Sequence, residues 1–167
     1  PTLDVGKPKF VYFHIPSPHF PYLFGQNGEN VGAKFINNEP IDPKKEKELY
    51  LGQLIFLNGY LKQAIDSILS KSSRPPIIII QSDHGFHSPY EKGFDDSAAK
   101  VKNFSAYYLP GKPKSVLPQD MSPVNTFRFI FDQYFGTTLG LLENKSFGFD
   151  GEHPYLYLDI PSSSIRF

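Results

Sequence analysis

The segment that decides the fold is residues 76–85, Pro-Ile-Ile-Ile-Ile-Gln-Ser-Asp-His-Gly. Its four consecutive isoleucines predict a strand buried on both faces, which is typical of parallel or mixed sheets covered by helices. Polar and small residues follow directly, and in open α/β sheets ligands bind just beyond the carboxyl ends of the strands. Asp83 and His84 occupy this position, and Gly85 permits a sharp turn. The pair predicts half of a divalent-metal site, with one oxygen and one nitrogen ligand; the alternative is an ordinary turn capped by Asp83.

A second apolar run also ends in a loop that carries a histidine. Residues 10–15, Phe-Val-Tyr-Phe-His-Ile, predict another buried strand. The turn-rich segment Pro-Ser-Pro-His-Phe-Pro-Tyr follows it at residues 16–22. Because the loops that follow parallel strands lie at the same edge of a sheet, we expect His19 to lie close to Asp83 and His84.

Between these two runs the sequence predicts one long helix over residues 43–71. Asp42 is placed to cap its N-terminus, and Pro43 suits the first helical position. Apolar residues recur at steps of three and four, which predicts an apolar packing stripe. The stripe consists of Leu51, Leu54, Ile55, Leu61, Ile65, Ile68 and Leu69. Strand, helix and strand in this order predict a right-handed parallel crossover.

The remaining elements are predicted from shorter patterns. Residues 23–42 show no period and are interpreted either as a loop over the site or as a tolerated surface excursion. A third strand is predicted at 103–109, a helix at 123–135 ended by Gly136, and a further strand at 155–159. The predicted buried face of the second helix consists of Val124, Phe127, Ile130, Phe131 and Tyr134. The predicted fold class is therefore α/β, with a mostly parallel or mixed sheet covered by helices.

Composition limits the classes of function. The chain has 167 residues, which fits a single domain spanning residues 1–167. Its net charge is zero, so the composition carries no electrostatic footprint for nucleic acid. It contains no cysteine, which excludes disulfides and thiol chemistry in this segment, and no run of eighteen apolar residues that would span a membrane. Because it begins at Pro1 without an initiator Met, we expect it to be part of a longer protein.

Four further residues have two interpretations each. His87 is either a further ligand or substrate contact, or a surface histidine. His153 has the same two interpretations. Asn103 and Asn144 begin Asn-x-Ser sequences, which accept glycans in secreted eukaryotic proteins. Since Asn103 opens a predicted buried strand, its match is interpreted as accidental.

Three segments together resemble the sulfatase-like branch of the alkaline phosphatase superfamily. They are Phe-His-Ile-Pro-Ser-Pro-His-Phe-Pro-Tyr at 13–22, Ile-Ile-Gln-Ser-Asp-His-Gly at 79–85, and Asn-Phe-Ser-Ala-Tyr-Tyr-Leu-Pro-Gly at 103–111, followed by Asn-Thr-Phe-Arg at 125–128. Their order and spacing are similar to the C-terminal half of arylsulfatases, lipoteichoic acid synthases and phosphoethanolamine transferases. The likeness covers most of residues 9–135.

The resemblance implies part of an alkaline-phosphatase-like sandwich and a metal-dependent hydrolase or phosphotransferase that acts on sulfate or phosphate esters. It implies that Asp83 and His84 bind one divalent ion (Zn, Mn, Mg or Ca) and that His19 contacts the sulfate or phosphate group. The family's nucleophile, a Thr, Ser or formylglycine, and its first acidic metal ligand lie in the N-terminal half, which is absent here. The fragment is therefore expected to be soluble and inactive alone, and its parent to be membrane-anchored with an extracytoplasmic or periplasmic catalytic domain.

Two other classes of function stay open from the residues. One is a non-catalytic sulfatase-like module that keeps the fold for binding or for a structural role. The other is a self-contained metal-binding domain, for which the ligands would come from His14, His19, Asp83, His84 and His87.

Overall fold

A computed structural model describes residues 7–32, 41–86, 88, 99–150 and 153–160. The chain forms two compact units, Pro1–Pro76 and Ile77–Phe167, and each is described by itself. The first unit contains helix α1 (Pro43–Lys71). The second contains, in chain order, β1 (Ile78–Gln81), β2 (Ser105–Tyr108), α2 (Thr126–Tyr134), β3 (Phe147–Asp150) and β4 (His153–Asp159). That residues 1–167 belong to one larger catalytic domain stays a prediction.

Helix α1 has the bounds that its local sequence predicts. The Asp42 carboxylate accepts hydrogen bonds from the backbone N–H groups of Lys44, at 3.0 Å, and Lys45, at 3.2 Å, so the predicted N-cap is confirmed. At the other end the Ser72 N–H donates to the Ile68 carbonyl, at 3.0 Å, and the chain leaves the helix in an extended conformation. Both ends depend on residues within one turn of the boundary, which is why the sequence alone locates them.

The packing face of α1 differs from the predicted apolar stripe. Glu46, Leu49 and Gln53 are its buried residues, whereas Leu51, Ile55 and Leu69 of the predicted stripe are exposed. The reason is that polar side chains on this helix hold the preceding loop by hydrogen bonds, so the face that carries them is the one that is covered.

The predicted strand over residues 10–15 is wrong. This segment has no regular secondary structure, and Phe10 and Phe13 are 77% and 81% exposed. A strand forms only where a neighbouring edge pairs with its backbone, and no strand in the described part of the chain pairs with this segment. The predicted strand–helix–strand crossover is therefore not formed.

The predicted strand around residues 77–81 is confirmed, but its pairing is not parallel. β1 pairs with β2 in antiparallel register, with Ile78 opposite Tyr108 and Gln81 opposite Ser105. The isoleucines of β1 are half-buried rather than buried on both faces, because this sheet has two strands. β3 and β4 form a second antiparallel pair. The described strands thus form two small antiparallel sheets; the mixture of helix and sheet is confirmed, and the parallel or mixed sandwich is not.

Helix α2 follows a short 3-10 turn over Pro123–Asn125 and ends before Gly136, whose φ of 69° suits a helix C-terminus. Its buried residues are Thr126, Phe129 and Ile130. Of the predicted buried face, Ile130 is confirmed, Tyr134 is half-buried, and Val124, Phe127 and Phe131 are exposed. The cause is again a polar side chain, since hydrogen bonds of Thr126 determine which side of the helix is covered.

None of the helices in the described ranges is both long enough and apolar enough to cross a lipid bilayer.

Candidate functional site

The residues Asp83, His84 and Gly85 form a turn directly after β1. Ser82 extends the pairing of β1 by one residue, to Phe104, the residue directly before β2. The Ser82 N–H donates to the Phe104 carbonyl at 2.9 Å, and the Ser82 Oγ accepts from the Phe104 N–H at 2.8 Å. The chain then bends, so the two potential ligands stand where the strand ends. This is the local position that the sequence predicts for them.

The Asp83 and His84 side chains face each other across this turn. Asp83 Oδ1 accepts a hydrogen bond from the His84 backbone N–H at 3.0 Å, and Asp83 Oδ2 lies 3.8 Å from His84 Nε2. His84 Nδ1 lies 2.6 Å from the Gly85 carbonyl oxygen. Since a carbonyl oxygen only accepts, Nδ1 carries a proton, and in the neutral imidazole the lone pair is then on Nε2. In that neutral form a carboxylate oxygen and a nitrogen with a lone pair lie 3.8 Å apart.

This donor set fits a divalent cation. Two ligands of one ion lie at most about 4–5 Å apart, because each metal–ligand distance is about 2.0–2.6 Å. A backbone carbonyl on the second nitrogen is also the usual way in which a protein fixes the tautomer of a metal-binding histidine. Among the described residues no three His, Cys, Asp or Glu side chains form a group that could hold an ion. The turn thus offers two ligands, and a complete site needs others.

Backbone packing around Gly85 leaves no room for a side chain. Its N–H donates to the Lys100 carbonyl at 2.6 Å. A Cβ at this position would lie 2.0 Å from the Ala99 carbonyl oxygen and 2.7 Å from that of Lys102. The glycine predicted for a sharp turn is thus required by the close approach of a neighbouring backbone segment.

A polar network, with Thr126 buried at its centre, holds the end of β1 against α2. The Thr126 hydroxyl donates to Gln81 Oε1 at 2.7 Å, so the Tyr107 hydroxyl, 2.9 Å from Thr126 Oγ1, donates to it in turn. Thr126 is fully buried. Sequence reasoning missed these residues, because a Gln at a strand end and a Thr in a helix are each usually exposed.

In the first unit, the loop that carries His19 is held on α1 by two buried side chains. The Tyr22 hydroxyl donates to Glu46 Oε1 at 3.0 Å. Gln53 Oε1 accepts from the N–H groups of Leu23, at 2.7 Å, and Phe24, at 3.1 Å, while Gln53 Nε2 donates to the His19 carbonyl at 3.3 Å. The exposed His19 ring therefore stands on a loop with a defined backbone. Glu46 and Gln53 are seven residues apart and therefore lie on one face of the helix. The predicted apolar stripe did not include this polar pair.

The predicted site residues fall in different parts of the structure. Asp83 and His84 lie together in the second unit, and His19 lies in the first, so its convergence with them stays a prediction. His87 lies outside the described residues. His153 is the first residue of β4 and is exposed.

Among the residues that the structure describes, three titratable groups have displaced pKa values. Burial raises the pKa of Tyr50 and of Tyr134. The pKa of Asp132 is lowered, first by a hydrogen bond from the Thr137 hydroxyl and then by the backbone N–H of Leu139. These bonds fasten the loop after α2 to the helix end.

No family model matches this chain, and no match was found among curated proteins or solved structures. The sulfatase-like resemblance therefore depends on the three sequence segments alone.

Proposed function

We propose that this chain supplies metal ligands to a sulfatase-like, metal-dependent hydrolase or transferase of sulfuric or phosphoric esters. The observation that carries the proposal is the 3.8 Å separation of Asp83 Oδ2 and His84 Nε2 on a turn at a strand end. The Gly85 contact supports it, since a proton on Nδ1 puts the lone pair of the neutral ring on Nε2, 3.8 Å from the carboxylate oxygen.

A bound divalent ion would neutralise charge on the ester oxygens and lower the pKa of the attacking nucleophile. Within the chain, Asp83 would contribute an anionic oxygen and His84 a neutral nitrogen, and the imidazole ligand suits Zn better than Mg or Ca. The His19 imidazole, on its ordered loop, would bind an ester oxygen or protonate the leaving group.

The proposal assigns the nucleophile to residues outside this segment. A formylglycine derived from cysteine is excluded within it, because the sequence contains no cysteine. In the sulfatase-like family that the motifs resemble, the nucleophile lies in the N-terminal half. We accordingly propose that turnover requires the longer protein, with its catalytic domain on the extracytoplasmic side of a membrane.

The test uses the longest protein that contains this chain, stripped of metal with a chelator and reloaded with Mn²⁺ or Zn²⁺. Hydrolysis of 4-nitrophenyl sulfate and of bis(4-nitrophenyl) phosphate distinguishes the two ester classes. Asp83→Asn and His84→Gln should each lower kcat/KM by at least about a hundredfold, since even outer partners of metal ligands are worth 10- to 100-fold.

The matched control is Asp66→Asn, which alters an exposed carboxylate of the first unit. It should leave the rates unchanged. Full activity after metal removal, or equal rates in the Asp83 and Asp66 variants, would refute the proposal. Metal binding without turnover of either ester would favour the non-catalytic module instead.

A further inference from the structure

The side chain of Asn103 holds the backbone from which both proposed ligands project. Its Nδ2 donates to two successive carbonyl oxygens, that of Ser82 at 3.0 Å and that of Asp83 at 2.6 Å. Both hydrogens of one amide are thus used on the residues that lead into the Asp83–Gly85 turn. We propose that Asn103 is a positioning residue for the Asp83–His84 pair, an inference that rests on the proposed function.

The geometry of the turn explains why this amide matters. The Asp83 carbonyl belongs to the peptide group that also contains the His84 N–H, and that N–H donates to Asp83 Oδ1 at 3.0 Å. Fixing the carbonyl therefore fixes the direction of the N–H, and with it the carboxylate that the N–H holds. The orientation of the same peptide plane sets the direction in which the His84 side chain leaves the backbone. Loss of the Asn103 hydrogen bonds should therefore change the distance between Asp83 Oδ2 and His84 Nε2.

The other anchors of the turn involve backbone at its two ends. Ser82 pairs with Phe104 before the turn, and the Gly85 N–H binds the Lys100 carbonyl after it. Within the described residues, Asn103 is the side chain that reaches the middle of the turn. Its removal should therefore loosen the ligand pair and leave both ends of the turn attached.

The same contacts bear on the Asn103-Phe104-Ser105 glycosylation sequence. A glycan would replace one of the two Nδ2 hydrogens, and both donate to the turn. The structure thus agrees with the interpretation of this match as accidental.

The test compares Asn103→Ala with Asn144→Ala in the longest protein that contains this chain, because a complete metal site needs ligands in addition to Asp83 and His84. Asn144 is a matched control because it is also an Asn of the second unit that ties backbone together: Oδ1 accepts from the Ser122 N–H at 3.1 Å, and Nδ2 donates to the Asp120 carbonyl. Both variants should lower the unfolding temperature. Only Asn103→Ala should weaken Co²⁺ binding, by roughly 10- to 100-fold in Kd. Asn103→Asp, which has the same shape but no donor, should behave like Asn103→Ala.

A second readout needs no metal. The ¹⁵N chemical shifts of the His84 ring report its tautomer, and the wild-type chain should show the proton on Nδ1, as the Gly85 contact requires. Asn103→Ala should give a mixture of tautomers, whereas Asn144→Ala should not. If a variant fails to fold, scalar couplings across hydrogen bonds from the Asn103 amide to the Ser82 and Asp83 carbonyls can be sought in the wild type.

The outcomes separate the two proposals. If the longer wild-type protein binds no Co²⁺ while Asn103→Ala still changes the His84 tautomer, the proposed function is contradicted and the positioning role of Asn103 stands. If both Asn variants bind Co²⁺ equally and keep the wild-type tautomer, the positioning role is overturned. Absence of both couplings in the wild type would overturn it as well.

Discussion

Gln53 provides the sharpest test of how the loop that carries His19 is held. Its side chain is 2% exposed and makes three hydrogen bonds to loop backbone, at 2.7, 3.1 and 3.3 Å. Gln53→Met keeps the length and the packing volume of the side chain but removes all three bonds. The variant therefore isolates the hydrogen bonds from the effect of a cavity.

The expected loss of stability follows from these contacts. A protein hydrogen bond contributes about 0.5–1.5 kcal/mol net, so three bonds amount to roughly 2–4 kcal/mol. Leu23 and Phe24 are partly exposed, so water can reach their N–H groups after the substitution and the full cost of an unsatisfied buried donor does not apply. We therefore expect the free energy of unfolding of the first unit to fall by about 2–3 kcal/mol.

Urea unfolding measures this loss, and amide hydrogen exchange locates it. The N–H groups of Leu23 and Phe24 should exchange roughly 10- to 100-fold faster in Gln53→Met, since each 1.4 kcal/mol corresponds to a factor of ten. In Gln53→Glu the carboxylate can still accept from both N–H groups, so their protection should persist while the bond to the His19 carbonyl is lost. Equal exchange rates in wild type and Gln53→Met would refute this account of the loop.

Three further outcomes are expected in the second unit. Gly85→Ala should unfold the turn or the unit locally, seen as lost Co²⁺ binding and a lower unfolding temperature, because its Cβ would meet a carbonyl oxygen at 2.0 Å; a variant with wild-type values would contradict the packing. Phe129→Ala should lower the free energy of unfolding by about 3–5 kcal/mol, as expected for a buried aromatic residue. Phe131→Ala, on the same helix, should lower it far less in urea unfolding, because Phe131 is 41% exposed. The pKa of Asp132 is lowered in the folded state, mainly by the hydrogen bond from the Thr137 hydroxyl. The ionised carboxylate therefore stabilises the fold at pH values above its unfolded pKa of about 3.9. This stabilisation is lost as the pH falls through the lower pKa of the folded state. The stability of Asp132→Asn should lack this pH-dependent contribution when it is measured by acid unfolding. Identical profiles of stability against pH in Asp132→Asn and the wild type would contradict the contribution of Asp132.

Features that depend on neighbouring residues in the chain were predictable from sequence. The cap and the first proline of α1 are adjacent residues, and the helix begins at Pro43 as they predict. The isoleucine run gives β1 and places Asp83 and His84 at its end, because a strand ends where polar and turn-forming residues replace the apolar run. Gly136 likewise ends α2.

The direction of strand pairing could not be predicted in the same way. The isoleucine run indicates a strand, but its partner is chosen among segments far along the chain, and β1 pairs antiparallel with β2. Residues 10–15 have an equally strong strand pattern and form no strand. The sequence pattern indicates only a tendency to form a strand, whereas a strand forms only where the edge of another strand is available for pairing.

Sequence alone determined the cap of α1, the position of β1 and the adjacency of Asp83 and His84. Only the tertiary structure decided which polar side chains are buried, as with Gln53 and Thr126. The physical reason is that a polar side chain enters the interior only where backbone groups distant in sequence satisfy its hydrogen bonds, and hydrophobic periodicity contains no information about those partners.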